Sequence, residues 1–107
     1  MIAALACLSG AIAIGAAAFG AHGAEGKAAE WLRTGGLFQL IHAVAIVALL
    51  PAARGAAILM LAGAAIFAFS LYAMALGAPR WFGAITPIGG TLMIAGWLWA
   101  AWMFTRG

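Results

Sequence analysis

The residues of this chain that could do chemistry are two histidines and a few neutral polar side chains set among long apolar runs. His42 lies well inside an apolar segment, and Gln39 precedes it by three residues, on the same face of a helix. His22 lies between small residues in the motif FGAHG, where the first apolar segment ends. An imidazole can bind a metal or haem, move a proton or hold a hydrogen bond. Its role therefore depends on which partners the fold brings to each histidine.

The sequence lacks the residues that most catalytic sites require. Glu25 and Glu30 are the only acids and there is no Asp, so a Ser–His–Asp triad cannot be assembled. No third ligand accompanies His22 and His42, so no metal and no cofactor is predicted. No charged residue lies in the middle of an apolar run, which argues against the membrane carboxylate that small multidrug exchangers use. We predict that the protein is not an enzyme.

The composition indicates that the solvent of this chain is lipid. Of its 107 residues, 68% are hydrophobic and 7% are charged, whereas a soluble domain carries roughly a quarter charged residues. The basic residues stand singly between apolar runs and form no patch for nucleic acid. We interpret them as anchors at the membrane surface, and the tryptophans Trp97, Trp99 and Trp102 as an aromatic belt. The basic residues are Lys27, Arg33, Arg54, Arg80 and Arg106.

The apolar runs predict an all-α fold, an integral membrane four-helix bundle with short connections in a single domain, 1–107. About 20 apolar residues cross the ~30 Å of hydrocarbon. The second run is short, and residues 28–34 either extend it backward or form a helix in the membrane interface. The predicted spans are about 2–20, 36–50, 55–77 and 82–104.

The antiparallel order of the spans predicts that most polar side chains lie near one end of the bundle, the end that bears a loop over 21–35. With a rise of ~1.5 Å per residue, we expect them within about 10 Å of the same membrane surface. We further expect Pro87, Gly89 and Gly90 to interrupt the backbone bonding of the fourth helix. The polar set either bonds the helices together or forms a pocket. Its members are His22, Gln39, His42, Ser70, Tyr72 and Thr86.

Four segments of the sequence resemble the domain-of-unknown-function family 423. They are GAAAFGAHG (15–23), FQLIHAVAIVALL (38–50), FAFSLYAMAL (67–76) and PIGGTLMIAGW (87–97). Members of this family are small bacterial membrane proteins, similar to the eukaryotic transmembrane protein 256. The resemblance implies a four-helix protein of the bacterial inner membrane whose biochemical role is not established. Its motif residues map onto Gly20, His22, Gly23, Gln39, His42, Ser70, Tyr72, Pro87, Gly89 and Gly90.

Two functions remain open from the sequence. The neutral, small-residue spans favour a protein that acts by helix–helix association in the lipid bilayer, as a homo-oligomer or as an accessory subunit of a larger membrane complex. The alternative is a binding or transport protein for a lipid or a small amphipathic ligand. That alternative requires the polar residues at the 21–35 end to form a pocket.

Overall fold

Four long helices account for nearly all of the computed structural model, which describes residues 1–106. They are α1 (Ile2–His22), α2 (Gly26–Leu49), α3 (Arg54–Ala75) and α4 (Thr86–Thr105), with a short 3₁₀ turn at Arg80–Ala84. Each is long and apolar enough to cross a membrane, the last together with the 3₁₀ turn before it. The predicted all-α, four-span fold is confirmed, and no strand occurs within the described residues.

The second helix extends backward beyond the predicted span 36–50, which is one of the two alternatives that the sequence left open for residues 28–34. Residues 28–34 are the first turns of α2 itself, so the expected loop over 21–35 shrinks to the three residues 23–25. The helix continues through Gly35 and Gly36, where the absence of a side chain lets the neighbouring helices come close. A Cβ at Gly36 would lie 2.8 Å from the Ala13 carbonyl oxygen, and one at Gly35 would lie 2.7 Å from the Tyr72 ring. These glycines permit close packing and do not end the helix.

The start of α4 also corrects an expectation. Pro87 lies in the first turn of α4, where its missing N–H removes no helical hydrogen bond, so it starts the helix and does not interrupt it. Gly89 is buried against α3, and a Cβ there would collide with the Phe67 backbone nitrogen and lie 2.6 Å from the Gly63 carbonyl oxygen. Its role is close approach between helices. Gly90 meets only the edge of the Phe67 ring.

Each helix packs on the next one along the chain, in antiparallel order. Within the described residues α1 makes a marginal contact with α3 and none of comparable extent with α4, so the bundle stays open between its first and last helices. The inner helices are α2 and α3. More than half of their buried residues are alanine, glycine or serine, which allows backbones to come close where lipid supplies no hydrophobic drive for association. The main buried cluster comprises Ala6, Ile46, Ala53, Ala56, Ala57, Met60 and Ala100.

Candidate functional site

His42 lies well inside α2, one of the helices long and apolar enough to cross a membrane. His42 lies nine residues after Arg33 and nine before Pro51. That separation is about 13 Å of helix on either side, which puts His42 near the midplane of ~30 Å of hydrocarbon. The sequence prediction had placed it close to one membrane surface. The difference arises because the prediction measured depth from residue 36, the start of the predicted span. In the structure α2 begins at Gly26, and the residues before 36 are also helical.

Gln39 joins three helices through its amide. Its side chain is only 1% exposed. The Nε2 atom donates to Ser9 Oγ on α1 at 2.9 Å, and Oε1 accepts from the Tyr72 hydroxyl on α3 at 2.6 Å. The Tyr72 ring can approach because Gly35 carries no side chain. Ser9 is not among the polar residues predicted from the sequence, because only the pairing of α1 with α2 puts it opposite Gln39.

His42 is held on both ring nitrogens. Nδ1 lies 2.7 Å from the carbonyl oxygen of Phe38, and Nε2 lies 3.0 Å from Nε1 of Trp97. A carbonyl only accepts and an indole N–H only donates, so both bonds require the neutral tautomer with its proton on Nδ1. Trp97 therefore binds His42 across α2 and α4, which corrects its assignment to an aromatic belt. Neither nitrogen has a lone pair left for a metal.

Ser70 and Thr86 join the end of α3 to the start of α4. The Ser70 hydroxyl donates to the Phe67 carbonyl at 2.8 Å. Its oxygen lies 2.5 Å from Thr86 Oγ1, so the Thr86 hydroxyl donates to it. Because Ser70 is buried, this bond satisfies two hydroxyls at a helix junction that faces hydrocarbon.

His22 does not join these groups. It lies exposed at the end of α1, and none of the side-chain hydrogen bonds of residues 1–106 involves it. The glycines around it serve packing: Gly20 is pressed against Leu32, and Gly23 lies beneath the Phe19 ring. Within the described part of the chain no three His, Cys, Asp or Glu side chains come close enough to hold a metal ion.

Together these bonds form three neutral connections between helices. Every buried side-chain nitrogen or oxygen of the described residues has a hydrogen-bond partner. Such bonds between membrane helices average ~0.6 kcal/mol per pair, so they orient helices more than they add stability. Gln39 and Ser9 also lie at the floor of a lateral groove of about 300 Å³ between α1 and α3. The other walls of that groove are apolar side chains.

Fold and polar connections define a class: an integral membrane protein of four antiparallel helices, joined internally by uncharged hydrogen bonds. The family model described as "Protein of unknown function (DUF423)" matches residues 16–90, and the chain belongs to this family. The matched range contains all six predicted polar residues but neither Ser9 nor Trp97, the partners that only the structure identifies.

Curated relatives match over most of their length. A UPF0382 membrane protein of Haemophilus influenzae is 39% identical over 105 residues, covering 88% of this chain and 85% of its own. A Staphylococcus epidermidis UPF0382 membrane protein is 38% identical, covering 88% and 86%. The UPF0382 inner membrane protein YgdD of Escherichia coli is 34% identical, covering 86% and 79%. No solved structure matches significantly. The predicted family and the inner-membrane localisation are confirmed.

Proposed function

We propose that this protein acts without catalysis, by associating through its helices in the inner membrane, as a homo-oligomer or as an accessory subunit of a larger membrane complex. The internal polar side chains support this proposal because they bond to one another and leave no reactive group free. The connections between helices are short, so nearly all surface available to a partner lies within the bilayer.

The observation that carries the proposal is Gly15, on the outer face of α1. A Cβ at Gly15 would meet nothing within 4 Å, whereas one at Gly20, Gly36 or Gly63 would press on a neighbouring helix. Glycine costs a helix about 1 kcal/mol relative to alanine. Within the described residues, a Cβ would also meet nothing at Gly26 and Gly77, but those two glycines have a positive φ, whereas Gly15 lies in regular helix. A helix from a second chain can approach closely there.

The surroundings of Gly15 fit such an approach. Ala4 and Ala11 are exposed on the same face of α1, eleven and four residues before Gly15. The exposed Leu8 lies between Ala4 and Ala11 on this face, so another helix can bring its backbone close at Ala11 and Gly15 and pack against Leu8. We call Ala4, Ala11 and Gly15 the outer strip.

The test compares Gly15→Leu with Ala62→Leu, a matched change on an exposed position of α3 outside the strip. Native mass spectrometry from mildly solubilised membranes gives the composition, and crosslinking through Cys7, exposed on α1, gives proximity in the bilayer. A single mass of several copies supports a homo-oligomer, and a larger mass with other chains supports an accessory subunit. Gly15→Leu should reduce either form and Ala62→Leu should not. A monomer by both methods would contradict the proposal.

The alternative, a ligand-binding or transport protein, needs the polar side chains to be free for a ligand. It has less support because Gln39, His42 and Ser70 each have partners within the chain. A small molecule that is retained by the purified protein and lost in Gln39→Leu, with assembly unchanged, would favour this alternative.

A further inference from the structure

A second surface, separate from the outer strip, runs between α1 and α2. It is a groove in two adjoining sections that share Leu40, with volumes of about 340 and 420 Å³. The groove stays open because small residues form its floor; Gly10, for example, has only Ala43 and Leu40 within 4 Å of where a Cβ would be. The lining residues are Ala6, Cys7, Gly10, Ala13, Ile14, Ala17, Ala18, Arg33, Gly36, Leu37, Leu40, Ala43, Val44, Val47 and Ala48.

Arg33 is the one charged residue of this lining, and it stands at one end of the groove. It is exposed, and none of the side-chain hydrogen bonds within residues 1–106 involves it. The 20 residues between Arg33 and Arg54 include no Asp, Glu, Lys or Arg, so Arg33 lies where hydrocarbon meets the headgroups. An apolar groove thus leads from a free guanidinium into the membrane.

We propose that this groove binds one anionic phospholipid, with its phosphate on the Arg33 guanidinium and an acyl chain along the floor. A guanidinium binds phosphate through two parallel hydrogen bonds. From Arg33 to Ala48 the groove runs about 22 Å, so it is long enough for an acyl chain that crosses one leaflet, half of the ~30 Å of hydrocarbon. The proposal does not depend on the association proposed above, because Gly15 does not line the groove.

Arg33 favours a lipid over a second protein helix in this groove. A helix seated there would cover the guanidinium with apolar surface, and a buried cation without a partner is costly. A phosphate removes that cost, and the acyl chain fills the apolar length. A free phosphate ion would use Arg33 but leave the groove below it empty.

Native mass spectrometry of delipidated protein tests the proposal, with phosphatidylglycerol and phosphatidylcholine of identical acyl chains as probes. We expect wild type to retain phosphatidylglycerol about fivefold better, because the positive choline group of phosphatidylcholine offsets its phosphate beside Arg33 and leaves that headgroup without net charge. Arg33→Gln should abolish this preference. Arg80→Gln is the matched control, since Arg80 is exposed near the same membrane surface and does not line the groove. It should leave the preference intact.

A second variant tests the apolar part. Gly10→Leu puts a side chain on the groove floor and should lower retention of both lipids about equally, with the helical signal in circular dichroism unchanged. Equal retention of the two lipids by wild type would overturn the proposal. So would an equal loss in Arg33→Gln and Arg80→Gln, which would mean general attraction to the basic membrane surface only.

Discussion

The seam between α3 and α4 and the outer face of α1 are built from the same small residues but have opposite surroundings. At the seam, a Cβ on Gly63 or Gly89 would lie within 3 Å of the opposing backbone, whereas on α1 a Cβ at Gly15 would touch nothing. Half of the most apolar window of α3 is buried, against 11% in α1. Small residues therefore build a contact inside the chain at one place and leave an exposed helix face at the other.

The largest effect is expected at the seam, from Gly89→Ala. The added methyl collides with the Phe67 and Gly63 backbones, which cannot move without separating the helices. Overpacking of this kind costs typically 1–3 kcal/mol, and we expect about 3 kcal/mol because the obstacle is backbone. Unfolding in mixed detergent, followed by circular dichroism, measures it. Gly90→Ala is the control: a Cβ there meets only the Phe67 ring edge at 3.9 Å, so stability should not fall.

A smaller loss is expected from Gln39→Leu, which asks whether the inner helices also depend on their hydrogen bonds. The change leaves the hydroxyls of Ser9 and Tyr72 without their partner in an apolar interior. An unsatisfied polar group costs about 1–3 kcal/mol, and we expect about 2 kcal/mol of lost stability in the same unfolding assay. His22→Leu should have no effect because His22 is exposed at a helix end. Equal losses of stability in the two variants would mean that the hydrogen bonds of Gln39 do not stabilise the packing of the helices.

The sequence predicted the helices better than it predicted their partners. Unbroken apolar runs identify four spans because every backbone group must be satisfied in lipid. The same runs do not fix where a helix begins, so the second span was predicted from residue 36, whereas α2 begins at Gly26 and Gly36 is a packing contact. Ser9 was missed because only the pairing of α1 with α2 puts it opposite Gln39.

The structure joins most of the predicted polar residues by hydrogen bonds and leaves one of them outside the packed helices. Gln39, Ser70, Tyr72 and Thr86 bond within or between helices, as residues of one polar layer would. His22 shared their end of the chain by residue count, yet it lies outside the packed helices. Trp97 was interpreted as part of an aromatic belt because it lies close to Trp99 and Trp102 in the sequence. Its indole reaches His42 because tryptophan side chains on α4 extend back along the helix toward its start.

The contact between His42 and Trp97 gives a third prediction, of about 1 kcal/mol. It is a hydrogen bond between α2 and α4, two helices that have few other contacts with each other. It therefore tests whether a hydrogen bond helps to hold α4 against α2. A double-mutant cycle with His42→Phe and Trp97→Phe isolates the pair. Measured couplings of this kind in membranes average ~0.6 and reach ~1.7 kcal/mol. Additive losses would mean that the two rings contribute by packing alone.

The smallest effect is expected at the outer strip, from Gly15→Ala. Within one chain the new methyl meets empty space, so the monomer should gain up to about 1 kcal/mol of stability from helix propensity. At an interface the same methyl separates two backbones, so association should weaken. The two measurements must therefore move in opposite directions: a higher unfolding midpoint under monomeric conditions and less crosslinked product in the bilayer. If stability rises and association is unchanged, Gly15 faces only lipid, and the outer strip does not bind a partner.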